Sequence, residues 1–401
     1  MLMIDITKKT YLKYFLFGSL YFSEGIMMAI AFVILPVYFV ERGVSLPLTT
    51  LVIGIISIPV TVKFIWGGIA DYFIKYGRKR FIILGGILIA GGFSLLTIVD
   101  PKTALIPFTI ILFISVCGLG FLDVSADAWA IEISQKEERG KINGSMFAGQ
   151  YAGLAIGSTF LGIIAKIFGY SISFLASGII VFLIIIFPLI VKDIKIVKKR
   201  QKVAKILIGE FKKRKTQLAS VFAFLHDINK GMLLVLIPLY MKTALQLDVA
   251  QIGLIVTIFP VTAVIGSISG GAISDKWTRK KTIYVFTGAS IFLTASLILA
   301  NNWLILAIIY GLIGFLQGGY ITSACAMFMD ITNPKAGATE FSIFMSLGNG
   351  GMTAGETISG TFVSMLGFSR TFLYAGWIFG PTLLILYVIK LKNKKIILEK
   401  Q

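Results

Sequence analysis

The chain alternates long stretches without a charged residue and short stretches crowded with lysine and arginine. Uncharged runs cover 81–99, 103–122, 142–165, 167–191 and 249–274, and each approaches or exceeds the roughly 20 residues with which an α-helix crosses a bilayer core. A further run, 282–329, is long enough for two crossings, with Asn301 and Asn302 near its middle. Five more crossings follow if isolated polar residues are tolerated within a span: about 11–40 around Glu24, 46–70 around Lys63, 217–243 around Asp227, 337–366 around Glu356, and 371–389. The pattern predicts an all-α membrane protein of twelve transmembrane helices.

The basic stretches set the orientation, because cytoplasmic loops retain Lys and Arg. Assigning alternate loops to the inside places 31 of the 38 Lys and Arg there, with both termini cytoplasmic and the chain multi-pass in the cell membrane. Composition agrees: 57% hydrophobic and 14% charged exceeds what a soluble surface carries. The +19 net charge is accounted for by loop bias, so no nucleic-acid partner is expected. Lys8, Lys9 and Lys13 lead into a span too long for a signal-peptide core, so no cleaved leader is expected. Cys117 and Cys325 sit in apolar spans and His226 is the single histidine, leaving no disulfide framework, metal site or cofactor to expect. An enzyme is disfavoured: no nucleophile with its base is visible, and the glycines at 85, 86, 91 and 92 read as close-packing positions, not a phosphate loop.

The chain repeats itself. ILPVYF (34–39) precedes GGIADYFIKYGRKR (67–80), and LIPLYM (236–241) precedes GGAISDKWTRKK (270–281); FGYSISF (168–174) matches LGFSRTF (366–372), at offsets of 198 to 204 residues. Two pseudo-symmetric six-helix bundles, 1–191 and 217–401, are expected on either side of a basic cytoplasmic linker, 192–216. Within the linker, Val203, Ile206, Leu207 and Phe211 share one helical face. That face suits a helix lying on an anionic membrane, although a simple tether is the commoner use of such a segment.

The repeated G-x-x-x-D followed by a basic cluster resembles the signature between the second and third helices of the major facilitator superfamily. Asp71 and Asp275 each end a helix, where an acid opposes the helix's own dipole, so each is expected to serve another helix. The resemblance implies that helix: the start of the eleventh or fifth, in the opposite bundle. The glycine, Gly67 or Gly271, would permit close packing, and Arg78, Arg80 and Arg279 would complete the gate. Five residues separate Asp71 from Gly77 where the common form has two. That longer loop, with VKFIWGGIAD (62–71), LYFSEG (20–25), GVS (43–45), FLDVSADAWAIE (121–132), EERG (137–140) and ATEFSIFMSLGNGG (338–351), is similar to the branch of bacterial muropeptide permeases and acetyl-coenzyme A transporters.

Depth then selects the candidate site. Glu24 lies ten to thirteen residues into the first span, Lys63 eight residues before Asp71, and Asp123 nine before Glu132, which at about 1.5 Å per residue puts all three roughly 12 to 20 Å inside the membrane boundary. Two acids and one base at one depth can meet. Since the family's first, fourth, seventh and tenth helices line the central cavity, the resemblance makes Glu24, Lys63 and Asp123 a proton or substrate site in the first bundle. Asp127, one turn nearer the cytoplasm than Asp123, is read with Glu132 as a gate or anchor pairing with Arg78, Lys79 or Arg80. In the second bundle Asp227 and Lys230, three apart, can pair, and His226 lines the cavity or packs against a neighbour, the second being commoner. Gln150, Tyr151, Gln317, Tyr320 and Asn349 can donate to a solute or bond between helices. Glu356, toward the outer side of its span, is read as an outer gate or a second proton site.

The function expected is secondary transport of a polar organic solute by alternating access, coupled to protons, by a monomer. A uniporter or efflux pump would use the same fold, and a non-transporting membrane sensor is the reading from a different class.

Overall fold

Lipid offers the backbone no hydrogen-bond partner, so each apolar run closes its own ladder as helix. The computed structural model describes residues 9–135, 138–192, 203–333 and 337–389. Eleven helices there are long and apolar enough to cross a membrane: α1 (Thr10–Glu41), α2 (Leu46–Tyr72), α3 (Arg78–Ile98), α4 (Leu105–Ile133), α5 (Lys141–Phe168), α6 (Tyr170–Ile190), α7 (Arg214–Thr243), α8 (Val249–Ser274), α9 (Arg279–Leu299), α10 (Trp303–Ile331) and a final stretch, Thr339–Val388. That last stretch holds two crossings, because Gly367 leaves helical geometry at φ 76°, ψ 166° and divides it into α11 (337–366) and α12 (368–388). Gly169 breaks the chain between α5 and α6 in the same way, at φ 88°, ψ 164°. Both φ values are glycine territory, and the two positions are 198 apart, one repeat unit.

Helix pairing follows the repeat. In the first half α1 packs along α5 and α3 along α4; in the second, α7 packs along α11 and α9 along α10. The halves meet through α2 against α11 and α8 against α5, two contacts that the repeat interchanges. Small residues bring the backbones together there: a Cβ on Gly54 would lie 1.9 Å from Thr357 Oγ1, and one on Gly253 2.1 Å from the Ser158 carbonyl.

The hydrogen bonds between halves lie at mid-helix or toward the end carrying residues 41–50. Thr61 and Thr353 share a hydroxyl contact of 2.8 Å. Thr50 donates to the Thr357 carbonyl at 3.3 Å and accepts from the Gly360 amide at 3.1 Å. Thr257 donates to the Ala155 carbonyl at 3.1 Å, and ion pairs Lys166–Asp248 (2.8 Å) and Lys242–Glu41 close the rim. At the opposite end, the ion pairs Lys13–Glu138, Arg78–Asp71, Arg78–Glu132 and Arg279–Asp330 each stay within one half. Hydrogen bonds from Lys13 and Thr10 hold the Glu138 carboxyl down at about 2, below its ordinary 4.5. A depressed carboxyl contributes above its unfolded value and loses that contribution only as pH falls toward 2, so this anchor is insensitive near neutrality.

The spans are not uniform rods. α1 contains a π-helical turn, Ile30–Ile34. α2 breaks at Val62 (φ −95°, ψ 27°), three residues after Pro59. The Pro59 carbonyl, which in an unbroken helix serves the Lys63 amide, accepts from the Trp66 indole at 2.8 Å. Lys63 therefore opens a second helical segment.

The linker helix Val203–Phe211 contacts the second half: Phe211 meets Phe344 of α11 at 6.1 Å, and Glu210 accepts from Asn333 at 2.6 Å. Residues 193–202, Lys335 and the basic tail after 389 lie outside the described residues.

Close approach gives a direct test of this packing. A Cβ on Gly231 of α7 would fall 1.9 Å from the Met352 carbonyl of α11, whereas one on Gly288 meets nothing within 4 Å. Gly231→Ala is expected to destabilise by about 1–3 kcal/mol and lower the thermal unfolding midpoint in detergent, with Gly288→Ala leaving it unchanged.

Candidate functional site

Three helices of the first half assemble one polar cluster. Lys63, presented by the break in α2, donates to Asp123 Oδ2 of α4 at 3.2 Å. The other oxygen of Asp123 is 3.1 Å from the hydroxyl of Tyr21 on α1, and the same hydroxyl bonds Asp127 Oδ1 one turn along α4. Asp123 and Tyr21 are buried, at 6% and 7% exposure. Glu24, one turn from Tyr21, stands within reach of the charges of Asp123 and Lys63, beside Gln150 of α5, and its Oε2 has no hydrogen-bond partner. The cluster thus runs Lys63, Asp123, Tyr21, Asp127, with Glu24 against it.

Hydrogen-bond capacity constrains its charge. A phenol has one proton to donate, and an ionised carboxylate can only accept. With both acids on the same hydroxyl, a fully bonded arrangement has Asp127 protonated and donating to Tyr21, Tyr21 donating to Asp123, and Lys63 donating to the far oxygen of Asp123.

Asp127 therefore belongs with Asp123, not with the basic loop. The sequence reading paired it with Arg78, Lys79 or Arg80, but those cations are committed elsewhere: Arg78 to Glu132 and Asp71 (3.2 and 2.5 Å), Lys79 to the carbonyls of Leu189 and Val191 that end α6 (2.7 and 2.9 Å), and Arg80 over the ring of Tyr76 (5.5 Å). The second half repeats this bracing. Arg279 pairs with Asp330 at 2.5 Å, and Lys280 donates to the carbonyls of Tyr387 and Ile389 at 2.7 and 3.0 Å.

Asp71 also departs from expectation. Its partner is Arg78 of its own half, and its side chain is 63% exposed, because the halves make no ion pair at this end among the described residues. A Cβ on Gly67 would meet nothing within 4 Å and one on Gly271 only Thr322 at 3.5 Å, so neither glycine is closely packed in this conformation. Asp275 ends α8, and its side chain lies outside the described residues.

In the second half the expected pair of Asp227 with Lys230 is not formed. Asp227 Oδ1 lies 3.3 Å from His226 Nδ1, and Lys230, half-buried, makes no ion pair among the described residues. His226 is fully buried, stacked on Tyr320 with ring centres 3.3 Å apart, and flanked by Phe222 and Phe379, which is the packing role. Gln317 is buried with its Nε2 unpartnered, and Tyr151 and Asn349 are half-buried. Sequence reasoning missed Tyr21 because an uncharged tyrosine carries no charge penalty within a span and so is not singled out by depth. It missed Asp330 although the repeat offset that relates Gly169 to Gly367 also relates Glu132 to Asp330.

Two further observations bear on family. A profile of the Major Facilitator Superfamily matches the chain twice in tandem, over residues 17–225 and 219–398. The chain belongs to the Major Facilitator Superfamily. Solved transporters share its fold: the nucleoside transporter NupG (TM-score 0.75, 12% identity, 95% of this chain and 98% of that one), a POT family transporter in complex with 5-aminolevulinic acid (0.75, 12%, 95% of each), and a bacterial homologue of the human lysosomal transporter Spinster in an inward-facing, unoccupied conformation (0.71, 12%, 95% of each). This superfamily member is thus a membrane transporter built from twelve helices.

The cluster makes a prediction that needs no transport assay. Lys63→Met strands the buried carboxyl of Asp123 and is expected to cost about 3–5 kcal/mol, while Lys63→Met with Asp123→Asn recovers most of it, read as thermal unfolding of the single and double variants.

Proposed function

We propose that the chain is a proton-coupled symporter of a polar organic solute, with the Lys63, Asp123, Tyr21, Asp127 and Glu24 cluster as its proton site. The observation that carries the reading is the phenol shared by two acids beside a lysine. Three acids against one base leave excess negative charge when all are ionised, and a low-dielectric site favours taking up a proton over holding that charge. A proton on the Asp127, Tyr21, Asp123 chain removes the penalty of carrying the cluster between states. The half-buried Lys230 and the amides of Gln150 and Gln317 are the groups we assign to the solute, with Tyr151, Tyr320 and Asn349 near them.

The positive-inside bias makes the 41–50 end the outer face and the termini cytoplasmic. On that orientation the halves are closed outside and parted inside, an inward-facing arrangement like that named for the Spinster homologue. Asp71 and Asp275 are then locks that engage the opposite half only when the inner end closes, and the exposure of Asp71 is the released state. The six-helix halves 1–191 and 217–401 are the rocking bodies. The motifs shared with muropeptide permeases and acetyl-coenzyme A transporters point to a bulky polar cargo of that kind.

The test begins with a thermal-shift screen of sugars, muropeptides, peptides and nucleotides, since a cargo that binds the folded protein raises its unfolding temperature by mass action. In proteoliposomes, an imposed proton gradient is expected to drive uptake of that cargo. Asp123→Asn is expected to abolish the acceleration by the gradient while leaving exchange of cargo across the membrane, and Tyr21→Phe to weaken it. Gradient-independent uptake in the unaltered protein means a uniporter, and binding without flux means a sensor.

A further inference from the structure

Outside the cluster, Glu356 is a buried acid at the join between the halves. Glu356 lies on α11 about ten residues before the break at Gly367, roughly 15 Å from that end of the helix. It is 0% exposed, and neither carboxylate oxygen has a hydrogen-bond partner. Thr353, Glu356, Thr357 and Gly360 are spaced three and four apart, so they form one stripe, and that stripe faces α2 across the join between the halves. Bonds bracket the acid on both sides: Thr353 to Thr61 at 2.8 Å one turn before it, and Thr357 and Gly360 to Thr50 at 3.3 and 3.1 Å just beyond. The seam is closed around it.

The groups facing it are few. From α2 the Ser57 hydroxyl comes within reach of the acid, but it is buried and its one proton goes to the Ile53 carbonyl at 3.0 Å, so it has none to donate to a carboxylate. From α7 the charge whose field reaches it is Lys230, which is not within ion-pair distance. The acid of α7, Asp227, lies against Gly348, about two turns before Glu356 on α11. An ionised carboxyl in such a place would forfeit several kcal/mol of solvation with no partner to offset it, whereas a neutral acid forfeits far less.

We propose that Glu356 is a second proton-binding site, built into the join: it holds a proton while α2 and α11 are closed on each other, and releases it to water when they part. Closing this end of the transporter then takes up one proton from solution, converting carboxylate to carboxylic acid, and opening returns it. The site needs no cargo and no metal. It rests on the reading of the chain as an alternating-access transporter but is independent of the Asp123 cluster.

The test measures the join itself. In protein with Cys117 and Cys325 replaced by alanine, spin labels on Ser45→Cys and Ala244→Cys, exposed loop positions of the two halves at this end, report its opening as a distance distribution. Without cargo, raising pH is expected to shift the population from the short to the long distance. Glu356→Gln, which mimics the protonated acid, is expected to lose the shift and stay short at every pH; Glu356→Met serves the same end should the glutamine variant not fold. Asp123→Asn is expected to retain the shift. A distance independent of pH in the unaltered protein, an unchanged shift in Glu356→Gln or Glu356→Met, or its disappearance in Asp123→Asn would each overturn the assignment. Absence of proton-driven uptake in the unaltered protein, with the shift intact, would instead count against the cluster alone.

Discussion

An ionised side chain at the centre of a bilayer costs roughly 2.5–3.5 kcal/mol even by the lenient insertion scales, and far more where it can neither snorkel nor pair. In this chain the cost sorts charges into two populations. Those near helix ends reach water or brace neighbouring elements, as Lys79 does with the last carbonyls of α6 and Arg78 with Glu132. In the first half the deep ones are drawn together, and Lys63 with Asp123 is the bond around which that group forms. The break in α2 is met in the same way: the Pro59 carbonyl it frees accepts from the Trp66 indole.

The internal duplication separates scaffold from chemistry. What both halves need is present twice: the positive-φ glycines at 169 and 367, the arginine-to-acid braces Arg78–Glu132 and Arg279–Asp330, the lysine caps at 79 and 280, and the close contacts Gly54–Thr357 and Gly253–Ser158. What does chemistry is present once. At the offset of 201 that relates Pro59 to Pro260, the counterpart of Lys63 is Val264; at the offset of 198 that relates Glu132 to Asp330, the counterpart of Asp123 is Ile321. The same offset turns Glu356 into Ser158. Repetition of a polar residue is therefore a sign of architecture, and its absence from the partner half is the sign of a site.

That distinction explains what could be read from the sequence. Twelve crossings were legible because span length and charge spacing are one-dimensional quantities, and the match of 168–174 with 366–372 covers the stretch where Gly367 divides the last two. The depth of Glu24, Lys63 and Asp123 was legible for the same reason. Azimuth was not. Asp127 shares a face with Asp123, but whether that face turned toward α1 or toward the basic loop depended on how α4 rotates in its bundle. Asp227 could not be assigned to His226 or Lys230 without knowing which way α7 presents them. Asp71 is a further case: in this structure it pairs with Arg78 of its own half, a partner that spacing along the chain did not single out.

One helix joins the two acid sites. The first segment of α2, Leu46–Thr61, carries Thr50, Ser57 and Thr61 and is bonded to α11 of the other half; the second, Lys63–Tyr72, carries Lys63 and is tied to Asp123 of its own half. Between them lies only Val62, where the helix is already broken. A rigid helix would force any parting of α2 from α11 to drag Lys63 off Asp123, stranding two buried charges at a cost of several kcal/mol. A broken one lets the seam segment hinge while the lysine stays paired. The proline three residues before Val62 and the indole that takes over its carbonyl make that break a stable feature of the fold, and on the proposed mechanism it would let the join around Glu356 open without first dismantling the cluster beneath it.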